Sequence, residues 1–162
     1  MENYLMLNGK RINLTAEQIE TLVGKKEKDP FERVNAKAYY CIDEMGKVTT
    51  MTDLGGGRNI ACHDVANYCT DKELMEQRAL HVILNQQLWR YSMQHGGRDM
   101  DWDNDGQKWF VFYNWCSEDF DATFTLEKLL PGVAYFRDYF TANAAIEEIV
   151  KPFMEKHPEF RW

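Results

Sequence analysis

The chain has 162 residues, of which 44% are hydrophobic and 14% aromatic, so a folded domain is predicted and disorder is excluded. Its net charge of −7 argues against general attraction to nucleic acid or to anionic membranes. No apolar run approaches the ~20 residues of a membrane helix, and no signal peptide is recognised. We therefore expect an intracellular protein whose four cysteines are reduced and mostly buried.

The first predicted elements form a small unit at the N-terminus. An Asn-Gly pair at positions 8 and 9 separates two short apolar runs, which predicts a hairpin. Thr15 and Gln18 fit a capping box that opens a short helix. We predict that residues 1–29 form an appendage and that residues 30–162 form the main domain.

A second hairpin is predicted over residues 38–51, where two strand-like runs flank a turn at 43–46. Residues 53–59 are rich in glycine and predict a loop. Residues 60–69 predict one or two short strands that lead into a long helix.

The long helix is predicted over residues 68–95, which contain no Gly or Pro. Thr70 and Glu73 fit a capping box at its start. At about 100° per residue, its apolar positions form two stripes on opposite sides, so two elements should cover it. A sheet is predicted on one side, and the N-terminal appendage is a candidate for the other. The first stripe contains Met75, Ala79, Val82, Ile83, Trp89 and Met93, and the second contains Leu80, Leu84, Leu88 and Tyr91.

Further strands and a second long helical pattern follow. Residues 108–116 are apolar on both faces, which predicts a strand in the interior of a sheet. Shorter strands are predicted within 122–126 and at 132–136. Asp138 is predicted to cap the last helix, which Pro152 kinks or ends.

The two halves of the main domain resemble each other. Residues 68–71, Tyr-Cys-Thr-Asp, align with residues 135–138, Tyr-Phe-Arg-Asp, and each quartet precedes a helix. This weak repeat predicts an α+β fold in which two ββ(β)α units share a mainly antiparallel sheet around the long central helix.

The strings DPFERV, AYYCI with a later GKV, NYCTDKELMEQRAL, DWDN, and VAYF before NAAIEEIVKPF cover most of residues 30–157. They resemble those of small accessory proteins carried by prophages and mobile elements of gut bacteria. The resemblance implies an intracellular setting in a host cell and, in many members, no enzymatic activity. Inhibitors of host defence systems, among them anti-CRISPR proteins, occur in that setting, so such a role is expected by analogy.

A calcium site is one candidate. Asp101, Asp103 and Asp105 followed by Gly106 match the first half of a calcium-binding loop. The twelfth position of that loop is Phe112, where a bidentate Glu is required. An acidic turn is therefore favoured.

Two other stretches resemble a zinc site and a phosphate-binding loop, and each lacks part of the required motif. Cys62, His63 and Cys69 do not have the paired spacing of a zinc site, so buried thiols are favoured. Residues 55–58, Gly-Gly-Gly-Arg, could cradle a phosphate, but they lack the Lys-Ser/Thr of a P-loop and no helix is predicted to follow. Neither a metal nor a cofactor is predicted.

The aromatic strand could instead be a stacking platform for single-stranded nucleic acid. Such a platform needs a basic groove, whereas the flanks of this strand are acidic, so a core strand is favoured. No nucleophile elbow or His-Glu-x-x-His motif is found, and no enzyme is predicted. The aromatic residues are Trp109, Phe110, Phe112, Tyr113 and Trp115.

Acidic residues are concentrated around this strand. Residues 96–121 hold seven acidic and two basic residues, and therefore five of the seven net negative charges. The common interpretation is a solvated rim. The functional one is a docking patch for a basic protein surface, such as the nucleic-acid channel of a defence nuclease. The acidic residues are Asp99, Asp101, Asp103, Asp105, Glu118, Asp119 and Asp121.

Three functional hypotheses remain. The first is a protein-binding inhibitor from a mobile element that uses the acidic loops. The second is an accessory nucleic-acid-binding protein that uses the aromatic strand, and the third is a small enzyme with an unrecognised site. The excess of acidic residues favours the first over the second, and a homo-oligomer stays open.

Overall fold

The computed structural model describes residues 4–7, 10–15, 17–18, 29–102, 106–126 and 130–162. The strands are β1 (Tyr4–Leu7), β2 (Lys10–Asn13), β3 (Ala38–Ile42), β4 (Val48–Thr52), β5 (Lys108–Asn114) and β6 (Asp119–Thr125). The helices are α1 (Gly57–Asp64), α2 (Lys72–Gln94), α3 (Tyr139–Ala145) and α4 (Lys151–Lys156). A 3-10 turn spans Gly97–Asp99, and a π-helical turn, Ile146–Val150, joins α3 to α4.

The fold is α+β, as predicted, but its strands form three separate antiparallel hairpins rather than one shared sheet. In each half of the main domain, the third strand is reduced to a single bridge. Tyr40 pairs with Cys69, and Trp109 pairs with Phe136. The helix cap follows two residues after each bridge and turns the backbone away, so the strand predicted at 132–136 does not extend.

The predicted repeat has a geometric counterpart at both helix starts. The Asp71 carboxylate accepts the Leu74 N–H at 3.0 Å, and the Asp138 carboxylate accepts the Thr141 N–H at 2.7 Å. The two aligned quartets therefore bridge a hairpin and then cap a helix in the same way.

The long helix is continuous, but its predicted capping box is wrong. Asp71 is the N-cap, whereas the Thr70 hydroxyl donates a hydrogen bond to the Pro30 carbonyl at 3.1 Å. Asp caps a helix as well as Thr does, and Thr70 instead ties the helix start to the segment before β3. The first stripe also contains one error, because Trp89 is 59% exposed.

Three of the four residues of the second stripe of α2 are buried, as predicted, and Leu80 is half-buried; their partner is the C-terminal half of the chain. Leu84, Leu88 and Tyr91 belong to the main core. The sheet that was predicted on one side of α2 corresponds to the hairpin β3–β4, which contacts this helix. In the part of the N-terminal unit whose side chains are described, β2 does not take the predicted place, since all four of its residues are exposed. The other buried members of the main core are Val111, Ala122, Ala134, Phe136, Ala142, Ala145, Ile146, Val150, Phe153 and Phe160.

Part of the predicted N-terminal unit lies within the described residues. β1 and β2 pair antiparallel, as the hairpin prediction requires. Thr15 and Gln18 form the reciprocal hydrogen bonds of a capping box, at 3.0 and 3.2 Å. The remainder of that predicted helix, from residue 19, lies outside the described residues.

Helix α1 corrects the prediction of a loop followed by strands at residues 53–69. Its N-cap is Gly56, which has no side chain to cap the helix, so the usual start signal is missing. Tertiary contacts hold it instead: the Asn59 amide donates to the Tyr39 hydroxyl at 3.1 Å and to the Thr52 carbonyl at 3.2 Å. Cys62 packs against the small core that contains Tyr39.

The C-terminal helix runs through Pro152 without a break. Pro152 has no N–H, and its ring would clash with the carbonyl four residues earlier in a regular α-helix. The preceding turn, Ile146–Val150, widens to π-helical geometry, which accommodates the proline. Among the described helices, none combines the length and apolar character that crossing a bilayer requires.

Candidate functional site

The tip of hairpin β5–β6 is a defined turn rather than a loose loop. Asn114 pairs with Asp119, which leaves a four-residue connection. The Asn114 side-chain oxygen accepts the Cys116 N–H at 3.0 Å, an Asx turn that orders the first half of the connection. Glu118 adopts φ of +53°, a left-handed conformation that favours Gly. This backbone conformation is unusual for Glu and marks a candidate functional position.

A row of aromatic rings runs from this turn to the C-terminal residue. The Trp115 ring meets the Tyr113 ring edge-on at a centroid distance of 4.9 Å, and Tyr113 meets Phe120 at 5.2 Å. Phe120 in turn meets Trp162 at 5.0 Å. We define the tip surface as these four aromatic residues together with Glu118 and Asp119.

Trp115 is the most exposed aromatic residue of the tip surface. It is 77% exposed, and Trp162 is 39% exposed. Large exposed indoles are typical of interaction surfaces, where Trp supplies much of the binding energy. Glu118 and Asp119 are also exposed, so two carboxylates border the indole of Trp115.

The C-terminal residues are held against α2, which explains why Trp162 reaches the hairpin. The Gln77 amide donates to the Glu159 carbonyl at 2.7 Å, and its oxygen accepts the Arg161 N–H at 3.0 Å. Phe160, between them, is buried in the main core. Sequence patterns gave no indication of this contact, because the partners are separated by more than 80 positions. Phe120 could have been inferred, since it faces Tyr113 once the hairpin register is known.

The structure divides the predicted acidic patch. Glu118 and Asp119 lie at the tip, and Asp121 pairs with Phe112 along β6. Asp99 and Asp101 precede β5 at the opposite end of the hairpin. A seven-residue strand spans roughly 20 Å, which exceeds the ~8 Å Debye length at physiological salt. The two groups therefore act as separate charges; Asp103 and Asp105 lie outside the described residues.

The aromatic strand is not a continuous platform. Its side chains alternate between the two faces of the hairpin. Trp109 and Tyr113 contact Phe124 and Phe120 of β6, whereas Phe110 contacts Tyr135 on the other face.

A second aromatic surface lies at the opposite end of the hairpin. Phe124, Trp109, Tyr139 and Phe140 form a chain of ring contacts with centroid distances of 5.0, 5.2 and 6.0 Å. Phe140 is 82% exposed. The acidic turn is absent from this chain of contacts, which makes Phe140 a useful control for Trp115.

The structure also bears on the candidate metal and phosphate sites. Within the described ranges, no group of three or more His, Cys, Asp or Glu residues is arranged to hold a metal ion. The calcium-like loop includes residues 103–105, which are not described. The prediction that no helix follows the Gly-rich stretch is wrong, because α1 begins at Gly57. The Gly-rich stretch also lacks the lysine of a P-loop.

The cysteines are all free thiols. Cys41 and Cys69 are buried, Cys62 is half-buried, and Cys116 is exposed at the hairpin tip. Burial raises the pKa of the Cys41 and Cys69 thiols, so both stay protonated at neutral pH. Neither is therefore an activated nucleophile.

No family model matches the sequence, and comparisons with curated proteins and with solved structures find no match. The resemblance to accessory proteins of mobile elements thus remains a prediction. The tip surface is the feature of the described residues that bears on function.

Proposed function

We propose that this protein acts by binding another protein through the tip surface, without catalysing a reaction. The observation that carries the proposal is Trp115, which is 77% exposed on an ordered hairpin turn beside Glu118 and Asp119. An exposed indole supplies apolar contact area, and adjacent carboxylates select for partners of opposite charge.

The partner should present a basic surface. An Arg side chain can stack on the Trp115 indole and pair with the carboxylate of Glu118 or Asp119 at the same time. The resemblance noted in the sequence implies a partner of this kind, the basic nucleic-acid channel of a defence nuclease in the cytoplasm of a host cell. An inhibitor that occupied such a channel would compete with nucleic acid.

Direct nucleic-acid binding by the aromatic strand is less well supported. The aromatic rings of β5 are divided between two faces, and acidic residues lie at both ends of the strand. Phosphate groups would be repelled by these carboxylates.

The test uses the N-terminally tagged protein in cells that carry defence systems. A partner captured by the parent protein is identified and purified, and its affinity is then measured by isothermal titration calorimetry. Trp115→Ala should weaken binding by about 2 kcal/mol or more, the cost expected of a central interface Trp. Phe140→Ala, an exposed aromatic truncation on the second aromatic surface, should leave the affinity unchanged.

Cys116 offers an independent measurement. It is the exposed cysteine of the four and lies next to Trp115. Bound partner should slow its alkylation by a maleimide. Full affinity of Trp115→Ala together with unslowed alkylation would refute the tip surface as the binding site.

A further inference from the structure

A groove runs beside α2, apart from the acidic turn. On one side His81, Asn85 and Trp89 follow one another at intervals of four residues, one per turn along the helix. Residues 132–134 form the opposite side. Two depressions of about 230 and 260 Å³ share Asn85 and residues 132–134, so they adjoin along the groove.

The floor of the groove is apolar and its ends carry indoles. Leu84, Leu88 and Val111 form the floor and belong to the main core. Trp162 lines the first depression and Trp89 lines the second. Trp89 is 59% exposed, so much of its side chain is accessible to a ligand.

Apart from the two indoles, the polar side chains of the groove are two amides and one imidazole. None of the described residues that line the two depressions is Asp, Glu, Lys or Arg, although such residues make up 28% of the chain. The Asn85 amide donates one hydrogen bond to the Gly132 carbonyl. An amide has a second N–H and an acceptor oxygen, so Asn85 and Gln86 can offer both donors and acceptors to a ligand.

We propose that this groove binds a neutral, planar heteroaromatic molecule of the nucleobase or nucleoside class. Its ring would stack on the Trp89 indole, and its edge would form hydrogen bonds with the amides of Asn85 and Gln86. Stacking on an aromatic side chain tolerates any base, while the amides read hydrogen-bonding groups. The depression beside Trp89 has about 260 Å³, which is below the 300–1,000 Å³ typical of drug-sized pockets and fits a small ligand.

The same features disfavour a phosphorylated ligand. A phosphate group requires a cationic or strongly donating partner, and in the part of the chain that the structure describes no Lys or Arg lines the groove. The net charge of −7 adds general repulsion. A nucleoside should therefore bind more tightly than its 5′-monophosphate.

The experiment titrates the parent protein with adenosine, guanosine, cytidine and uridine, and with ribose as the aliphatic control. Binding is followed by two-dimensional NMR, with the side-chain amides of Asn85 and Gln86 as reporters. At least one nucleoside should shift these signals, its monophosphate should bind more weakly, and ribose should not bind. Trp89→Ala should weaken nucleoside binding about tenfold or more, because a stacked aromatic group is lost.

Trp115→Ala is the matched control, since it removes another exposed indole, outside the groove. It should leave nucleoside affinity unchanged, while Trp89→Ala should leave protein-partner binding unchanged; the two proposals can therefore fail separately. The groove proposal is overturned if no nucleoside binds. It is also overturned if the shifted signals lie elsewhere, or if a folded Trp89→Ala variant, judged by its melting temperature, keeps full nucleoside affinity. The NMR mapping on the parent protein decides the matter even if that variant does not fold.

Discussion

Tyr68 and Tyr135 occupy equivalent positions in the two halves of the main domain, and the hydroxyl of each accepts a backbone N–H from a segment that precedes it in the chain. Tyr68 accepts from Val34 at 3.0 Å, and Tyr135 accepts from Leu130 at 2.6 Å. Both tyrosines are buried, at 1% and 5% exposure. Each therefore fastens a connecting segment onto the start of a helix.

Removing either hydroxyl should destabilise the protein while leaving the ring in place. Tyr68→Phe and Tyr135→Phe each leave a backbone N–H without its partner, at a cost of about 1–3 kcal/mol. The free energy of unfolding is measured by chemical denaturation. Tyr139→Phe is the control, because Tyr139 is 40% exposed and should change stability by less than ~0.5 kcal/mol. Equal stability of all three variants would contradict the anchoring role.

Leu84→Ala tests the second stripe of the long helix. Leu84 is 3% exposed and packs in the main core, so truncation should cost about 2–5 kcal/mol. Leu74→Ala, on the same helix but 41% exposed, should cost far less. A loss below ~0.5 kcal/mol for Leu84→Ala, measured by denaturant unfolding, would show that this stripe is not packed.

Glu118→Gly should stabilise the fold. Glu118 has φ of +53°, and a left-handed conformation costs a residue with a side chain roughly 1–2 kcal/mol. Gly removes that cost, although its greater freedom in the unfolded chain offsets part of the gain, so we expect a net increase of about 1 kcal/mol. Glu118→Gln removes the charge alone and should leave stability nearly unchanged. If Gly destabilises the turn, the side chain itself must be making a stabilising contact.

Neutralising the two ends of the hairpin should affect partner binding differently. The double variant Glu118→Gln with Asp119→Asn removes charge beside Trp115, and it should slow association, most strongly at low ionic strength. Asp99→Asn with Asp101→Asn removes the same charge from the opposite end and should change the association rate less. Association rates measured by surface plasmon resonance at several salt concentrations give the comparison. Equal effects of the two double variants would indicate general rather than local electrostatics.

The Arg33–Asp53 ion pair should govern stability in acid. Asp53 is buried, and both its oxygens accept hydrogen bonds from the Arg33 guanidinium at 2.8 and 2.9 Å. These bonds and the Gly55 N–H lower the pKa of Asp53 from 3.8 to about 2. A lowered pKa in the folded state means that the stabilisation is complete above about pH 4 and is lost as the pH falls through 2.

Asp53→Asn should therefore lower the melting temperature at neutral pH and make it less dependent on pH between 4 and 2. The measurement is thermal unfolding across that window. Glu76→Gln, which breaks the exposed pair with Lys72, should behave like the parent protein because exposed pairs contribute little. An Asp53→Asn variant with the parent's acid profile would show that another group controls it.

Local signals in the sequence were enough to predict several elements. The uninterrupted run before Gly96 indicated the long helix, and the turn residues indicated the hairpins. Helix α1 was missed because Gly56 supplies no cap, and the contacts of Asn59 that hold the helix come from β3 and β4. The prediction of one shared sheet was wrong, because a residue pattern does not show how far a third strand extends before its helix begins.

The tip surface was only half predictable. Trp115, Glu118 and Asp119 are visible in the sequence as an aromatic strand next to acidic residues. Trp162 joins them only because Gln77 binds the backbone of the C-terminal residues, a contact without a local pattern. The division of the acidic residues likewise depends on the length and direction of β5.

The hydrogen bonds of Gln77 also couple the two surfaces. They hold the segment that places Trp162 at the edge of the tip surface and at one end of the groove. A substitution at Gln77 would therefore disturb both surfaces at once, whereas Trp115 and Trp89 each belong to one of them.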